Sequence, residues 1–130
     1  MTFARIVLIG STGVFAVIGI GFIVMPHALA PLVGIELTNV TADNDFRAVY
    51  GGVPAGLGVF LALALRRPDW ELPALYVVLL TLGGLAASRV LSWWLAGWPA
   101  PIAFGLHAME ISGIVMAAIA IRGHVGDTRR

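Results

Sequence analysis

Residues 103–121 read AFGLHAMEISGIVMAAIAI, an apolar run interrupted by one histidine, His107, and one acid, Glu110. About 20 helical residues cross the hydrocarbon core of a bilayer, so the run is long enough to do so. Hydrocarbon offers the backbone no hydrogen-bond partners, and a crossing segment of this length therefore has to be helical. An ionised carboxylate in that setting is costly, rare, and usually paired or functional. Two conclusions organise the rest of the chain: its solvent is lipid, and Glu110 needs a partner.

Three further apolar runs precede this one. The four together cover about 3–25, 46–65, 72–94 and 102–121. Strands of a membrane barrel would be half as long and would alternate polar with apolar residues, which these runs do not. The 130-residue chain is 59% hydrophobic and 12% charged, against roughly 25% charged residues in a soluble domain. The expected fold is therefore all-α and polytopic: one domain, 1–130, of four transmembrane helices in an up-down bundle. The first run is longer than a secretory h-region and lacks a following small-x-small site, so a retained span is expected rather than a cleaved leader.

The charges orient this bundle. Arg5, Arg66, Arg67, Arg122, Arg129 and Arg130 fall on one side of a four-span chain, and Glu36, Asp43 and Asp45 on the other. The positive-inside rule places both termini and the Arg66-Arg67 turn in the cytoplasm of a bacterial inner membrane. Trp93, Trp94 and Trp98 then mark the outer interface and Trp70 the inner one. The first connection, with its PHALAPLVGIEL stretch, is expected to lie along the outer interface. The tail from Gly123 is expected to fray.

Depths follow from 1.5 Å of rise per residue: Arg47 lies about 3 Å from the outer start of span two, Arg89 about 7 Å inside span three and Glu110 about 12 Å inside span four. All fall in the outer half of the bundle. His107 is one turn from Glu110, Tyr50 one turn from Arg47, and Ser92 one turn from Arg89. Arg47, Tyr50, Arg89, Ser92, His107 and Glu110 thus form an expected ion-pair or ligand-binding cluster. Two arginines against one glutamate would leave a surplus positive charge, suited to an anionic group.

Gly51-Gly52-Val53-Pro54-Ala55-Gly56 is the second polar-poor signature. Gly52 and Gly56 form a small-xxx-small pair that permits close helix approach, with Gly51 beside it and Pro54 able to kink the span. Homodimerisation is an alternative use of the same stripe. Asp45 is placed to cap span two, while Asp43 and Glu36 read as solvated loop acids. Asn39-Val40-Thr41 matches a glycosylation sequon by chance. His27, His107 and His124 are too dispersed for a metal site, the net charge of +1 argues against nucleic acid, and no nucleophile elbow or hydrolase triad is present. Neither catalytic residue, metal nor cofactor is expected.

Asp45-Phe46-Arg47-Ala48-Val49-Tyr50-Gly51-Gly52 resembles the fR-x-x-YGG start of span two in a family of small bacterial membrane proteins, domain-of-unknown-function family 4345. Ser88-Arg89-Val90-Leu91-Ser92 with Gly97-Trp98-Pro99 resembles that family's GR-x-x-S … dG-x-p segment, although Ser88 replaces a glycine and Ala96 an aspartate. Glu110 matches its acid in span four. The resemblance implies four helices and groups Arg47, Arg89 and Glu110; it implies no activity.

The expected function is binding of a membrane lipid or hydrophobic ligand, or service as an accessory subunit of a larger membrane complex. Two alternatives stand beside it. One is a small proton-coupled transporter using Glu110; the other is an outer-leaflet lipid-modifying enzyme using His107 and Glu110 as acid and base.

Overall fold

The computed structural model describes residues 2–127. Helix takes up 87% of them, and no strand occurs among the described residues. The order is α1 (Phe3–Val24), the short α2 (Pro26–Leu29), α3 (Val40–Phe46), a π-helical turn (Arg47–Gly52), α4 (Val53–Ala64), α5 (Glu71–Ala96) and α6 (Pro101–Asp127). Among the described residues, four helical stretches are long and apolar enough to cross a membrane: Phe3–Val24, Val40–Ala64, Pro68–Ala96 and Pro101–Gly126. Large apolar side chains stand in the open along them, including Val17, Leu80 and Leu95, each at least 70% exposed. Such surface is incompatible with water and ordinary against lipid. The chain is a multi-pass, all-α membrane protein.

The structure shifts several boundaries. Span two begins at Val40 rather than 46, because Asn39 caps it: the Ala42 amide donates to Asn39 Oδ1 at 2.9 Å. Asp45 is therefore inside a helix and is not the cap. Asp43, read from sequence as a loop acid, sits in the first turn of α3, where an acid complements the helix dipole. At the other end, α6 runs on through Gly123 to Asp127 instead of fraying there. Arg129 and Arg130, used in the orientation argument, lie outside the described residues.

The chain divides into two compact units, a central one of Ile9–Arg66 and a terminal one of Met1–Leu8 with Arg67–Arg130. In the central unit, α1 meets span two through glycine. A Cβ on Gly19 would strike the Ala55 amide nitrogen and come within 2.8 Å of the Gly51 carbonyl. Gly58 lies against Ala16 in the same way, at 3.1 Å from its nitrogen. The close approach thus uses Gly51, Ala55 and Gly58. A Cβ on Gly56 would meet nothing within 4 Å, and one on Gly52 only the Arg47 carbonyl at 3.7 Å. Gly51, Ala55 and Gly58 are spaced i, i+4, i+7, so they form the helix stripe next to Gly52/Gly56, one residue round the helix.

The π-helical turn has a local cause. Pro54 lacks an amide hydrogen, and its ring would collide with the carbonyl four residues back in a regular helix. The backbone widens over Arg47–Gly52, and the Val53 amide donates to Ala48 O, five residues back. Pro54 therefore acts by widening one turn.

In the terminal unit, α5 and α6 pack side by side. Ala74, Leu75 and Val78 of α5 and Ala117 of α6 are completely buried. Gly97 ends α5 with φ +94°, a conformation that favours glycine, and its amide closes back on Trp93 O. Trp98, Pro99 and Ala100 then lead into α6, with Pro101 at its first position.

Candidate functional site

Glu110 finds its partner on α5. Its residue surface is 3% exposed, and Arg89 Nε donates to both carboxylate oxygens, at 2.8 Å to Oε1 and 3.0 Å to Oε2. His107, one turn earlier on α6, brings Nδ1 to 3.7 Å from Glu110 Oε2. That is ion-pair range but beyond a hydrogen bond, and Nδ1 is buried with no hydrogen-bond partner among the described residues.

Aromatic rings wall the pair on one side. Trp93, one turn beyond Arg89, meets the His107 ring edge-on with centroids 4.8 Å apart. Phe104, one turn before His107, lies 5.1 Å from Trp93 and stacks with Trp98 at 6.1 Å. The sequence reading paired Arg89 with Ser92, but Ser92 is exposed and Trp93 holds the inward position. Spacing was the available signal: Trp93 is i+4 from Arg89, and Phe104 is i−3 from His107.

Beside the pair, α5 and α6 form a shallow groove of about 540 Å³ lined by Ala86, Ala87, Val90, Leu91 and Ile111. Trp94 and His107 complete the lining; His107 is its one titratable residue, and Trp94 carries an indole N–H donor. The groove is mostly apolar, with one imidazole and one indole at its wall.

Arg47 and Tyr50 belong to the central unit. Arg47 Nη2 lies 3.4 Å from Asp43 Oδ2, one helical turn away, and His27 Nε2 lies 3.3 Å from Asp43 Oδ1. Tyr50 stacks on Phe46 at 4.9 Å, with Phe22 edge-on to both. The surplus positive charge inferred from sequence is thus corrected: Asp43 is a helical acid and supplies Arg47 with a carboxylate of its own.

A family model described as Domain of unknown function (DUF4345) matches residues 3–121. The chain belongs to the DUF4345 family. No curated protein and no solved structure matches it. The match includes Arg5, Asp43, Arg47, Glu71, Arg89 and Glu110, which form acid–arginine ion pairs in the DUF4345 chain.

One of those pairs escaped the sequence reading of this DUF4345 protein. Glu71 lies just outside the 72–94 run expected as span three, but it is the first residue of α5 and 6% exposed. Arg5 Nη1 donates to Glu71 Oε1 at 2.8 Å. A cavity of about 610 Å³ adjoins this pair, lined by Thr2, Phe3, Glu71, Ile119 and His124 among others. Both residues begin a membrane-length helix from the same predicted side, which is the pattern that could have revealed them.

Proposed function

We propose that this protein binds a lipid or lipid-like hydrophobic ligand from the surrounding bilayer. The observation that carries the reading is the α5–α6 groove, apolar apart from the Trp94 indole N–H and from His107, which backs onto the buried Arg89–Glu110 pair. Hydrocarbon needs only apolar lining, and a few placed polar groups fix a ligand's orientation. Arg89, Glu110 and Trp93 hold the imidazole in place; Arg47 and Tyr50 have partners within their own unit and take no part.

The test uses nanodiscs containing a lipid with a photoactivatable diazirine on its acyl chain. Illumination is expected to label peptides covering residues 86–94 and 107–111 above the other spans. Ala87→Trp, which fills the groove from an exposed position, is expected to abolish that excess. Uniform labelling of all four spans would show a protein that lipid merely surrounds.

The same reading places both termini in the cytoplasm of a bacterial inner membrane, on the strength of Arg5, Arg66, Arg67 and Arg122 sharing one predicted side. The chain contains no cysteine, so single cysteines report cleanly. In intact spheroplasts an impermeant maleimide is expected to label Thr38→Cys and to spare Arg66→Cys. The opposite pattern would invert the topology.

A further inference from the structure

The groove's polar wall has a definite hydrogen-bonding sense. A neutral imidazole carries one proton on one of two nitrogens, and the neighbouring groups decide which. Nδ1 is shut away from solvent and faces Glu110 Oε2 at 3.7 Å, beyond a hydrogen bond, and the carboxylate's negative charge favours the tautomer with the proton on Nδ1. Nε2 is left as an acceptor, and it belongs to the one side chain lining the groove that can accept a hydrogen bond, since the indole of Trp94 only donates. Trp93 packs edge-on against the same ring and holds it.

The charge setting is equally definite. Arg89 and Glu110 offset one another at 2.8 Å, and the other arginine once assigned to this site has Asp43. Among the described residues that line or adjoin the groove, an anionic head would find no unmatched cation, and a cationic head no unmatched carboxylate. Burying either without a partner is far costlier than burying a hydroxyl that has one.

From the acceptor, the balanced charge and the apolar lining, we infer that the groove selects an uncharged lipid alcohol. Its hydroxyl donates to His107 Nε2, and its hydrocarbon lies along Ala87, Val90 and Leu91. This deepens the proposed lipid binding and rests on it.

Three photolabels sharing one diazirine acyl chain test the inference in nanodiscs of the full chain: a diacylglycerol, its methyl ether, and a phosphatidylglycerol. One neutral hydrogen bond corresponds to a preference of about five-fold. The free alcohol is expected to label the groove peptides about five-fold more than the ether, and more than the phosphatidylglycerol by at least as much. His107→Leu is expected to bring alcohol and ether level, and His107→Gln, which restores an acceptor, to recover part of the preference. The wild-type comparison stands even if a variant fails to fold. Equal labelling by alcohol and ether, or a preference for phosphatidylglycerol, overturns this inference while leaving lipid binding intact. If no label favours the groove, the proposed function itself fails.

Discussion

Glu110→Gln is expected to lower the unfolding free energy in mild detergent by about 2–3 kcal/mol. The carboxylate accepts two hydrogen bonds from Arg89 Nε and is 4% exposed, whereas the arginine side chain is 31% exposed. Removing one member of a fully buried pair costs about 3–5 kcal/mol, because the other charge is left without compensation. The partial exposure of Arg89 lowers that figure, since water or lipid headgroups can reach part of the guanidinium. The double variant Arg89→Leu with Glu110→Leu should recover most of the loss, as apolar replacement of both partners removes the uncompensated charge. Denaturation by SDS followed by circular dichroism measures all three proteins. Wild-type stability in the single variant would dispose of the ion-pair account, and Ser92→Ala, at an exposed position, serves as the silent control.

Gly19→Ala is expected to cost about 3 kcal/mol, at the upper end of the usual range for overpacking. The added methyl would overlap the Ala55 amide nitrogen and sit 2.7 Å from its Cα and 2.8 Å from Gly51 O. All three are backbone atoms, so no side chain can swing aside, and α1 would have to move away from span two. Close backbone approach is a main source of helix association in lipid, where apolar burial gives no advantage. Gly10→Ala and Gly13→Ala lie on the same helix with nothing within 4 Å of the added atom; they should be neutral or slightly stabilising. The same SDS titration compares the three. Should Gly19→Ala be tolerated as well as Gly10→Ala, the packing of α1 on span two described above is wrong.

Much of this architecture was legible because lipid imposes so few options. An apolar run of membrane length must be helical, and Glu110 inside one must have a partner. Arg89 could be nominated by counting residues from the turn at Gly97–Pro99. Harder to read were the features set by a local competition. Asn39 outcompeted Asp45 as the cap, which lengthened span two and turned Asp43 from a loop acid into a partner for Arg47. Pro54 widened the turn before it, and small residues stand on two neighbouring stripes of span two, Gly52/Gly56 and Gly51/Ala55/Gly58, so composition alone did not say which one faces α1. Glu71 was hidden among Arg66, Arg67 and Asp69, in a stretch whose composition reads as solvated; only its helical position and the start of α1 bury it. Trp93 was counted among interfacial tryptophans, a role its neighbour Trp94, 83% exposed, fits better.

One consequence concerns depth. Glu71 and Arg89 both belong to α5 and lie about 27 Å apart along its axis at 1.5 Å per residue. That is close to the hydrocarbon thickness of a bilayer, about 30 Å. Each charge is fastened to a different helix, Glu71 to the start of α1 and Arg89 to α6. The helix is in effect a gauge with a stop at either end. Displacement in one direction drags the lower pair into hydrocarbon, and displacement in the other carries the upper pair deeper into it. A bilayer thinner or thicker than the gauge has to be met by tilting or by deforming the nearby lipid, because sliding is opposed both ways.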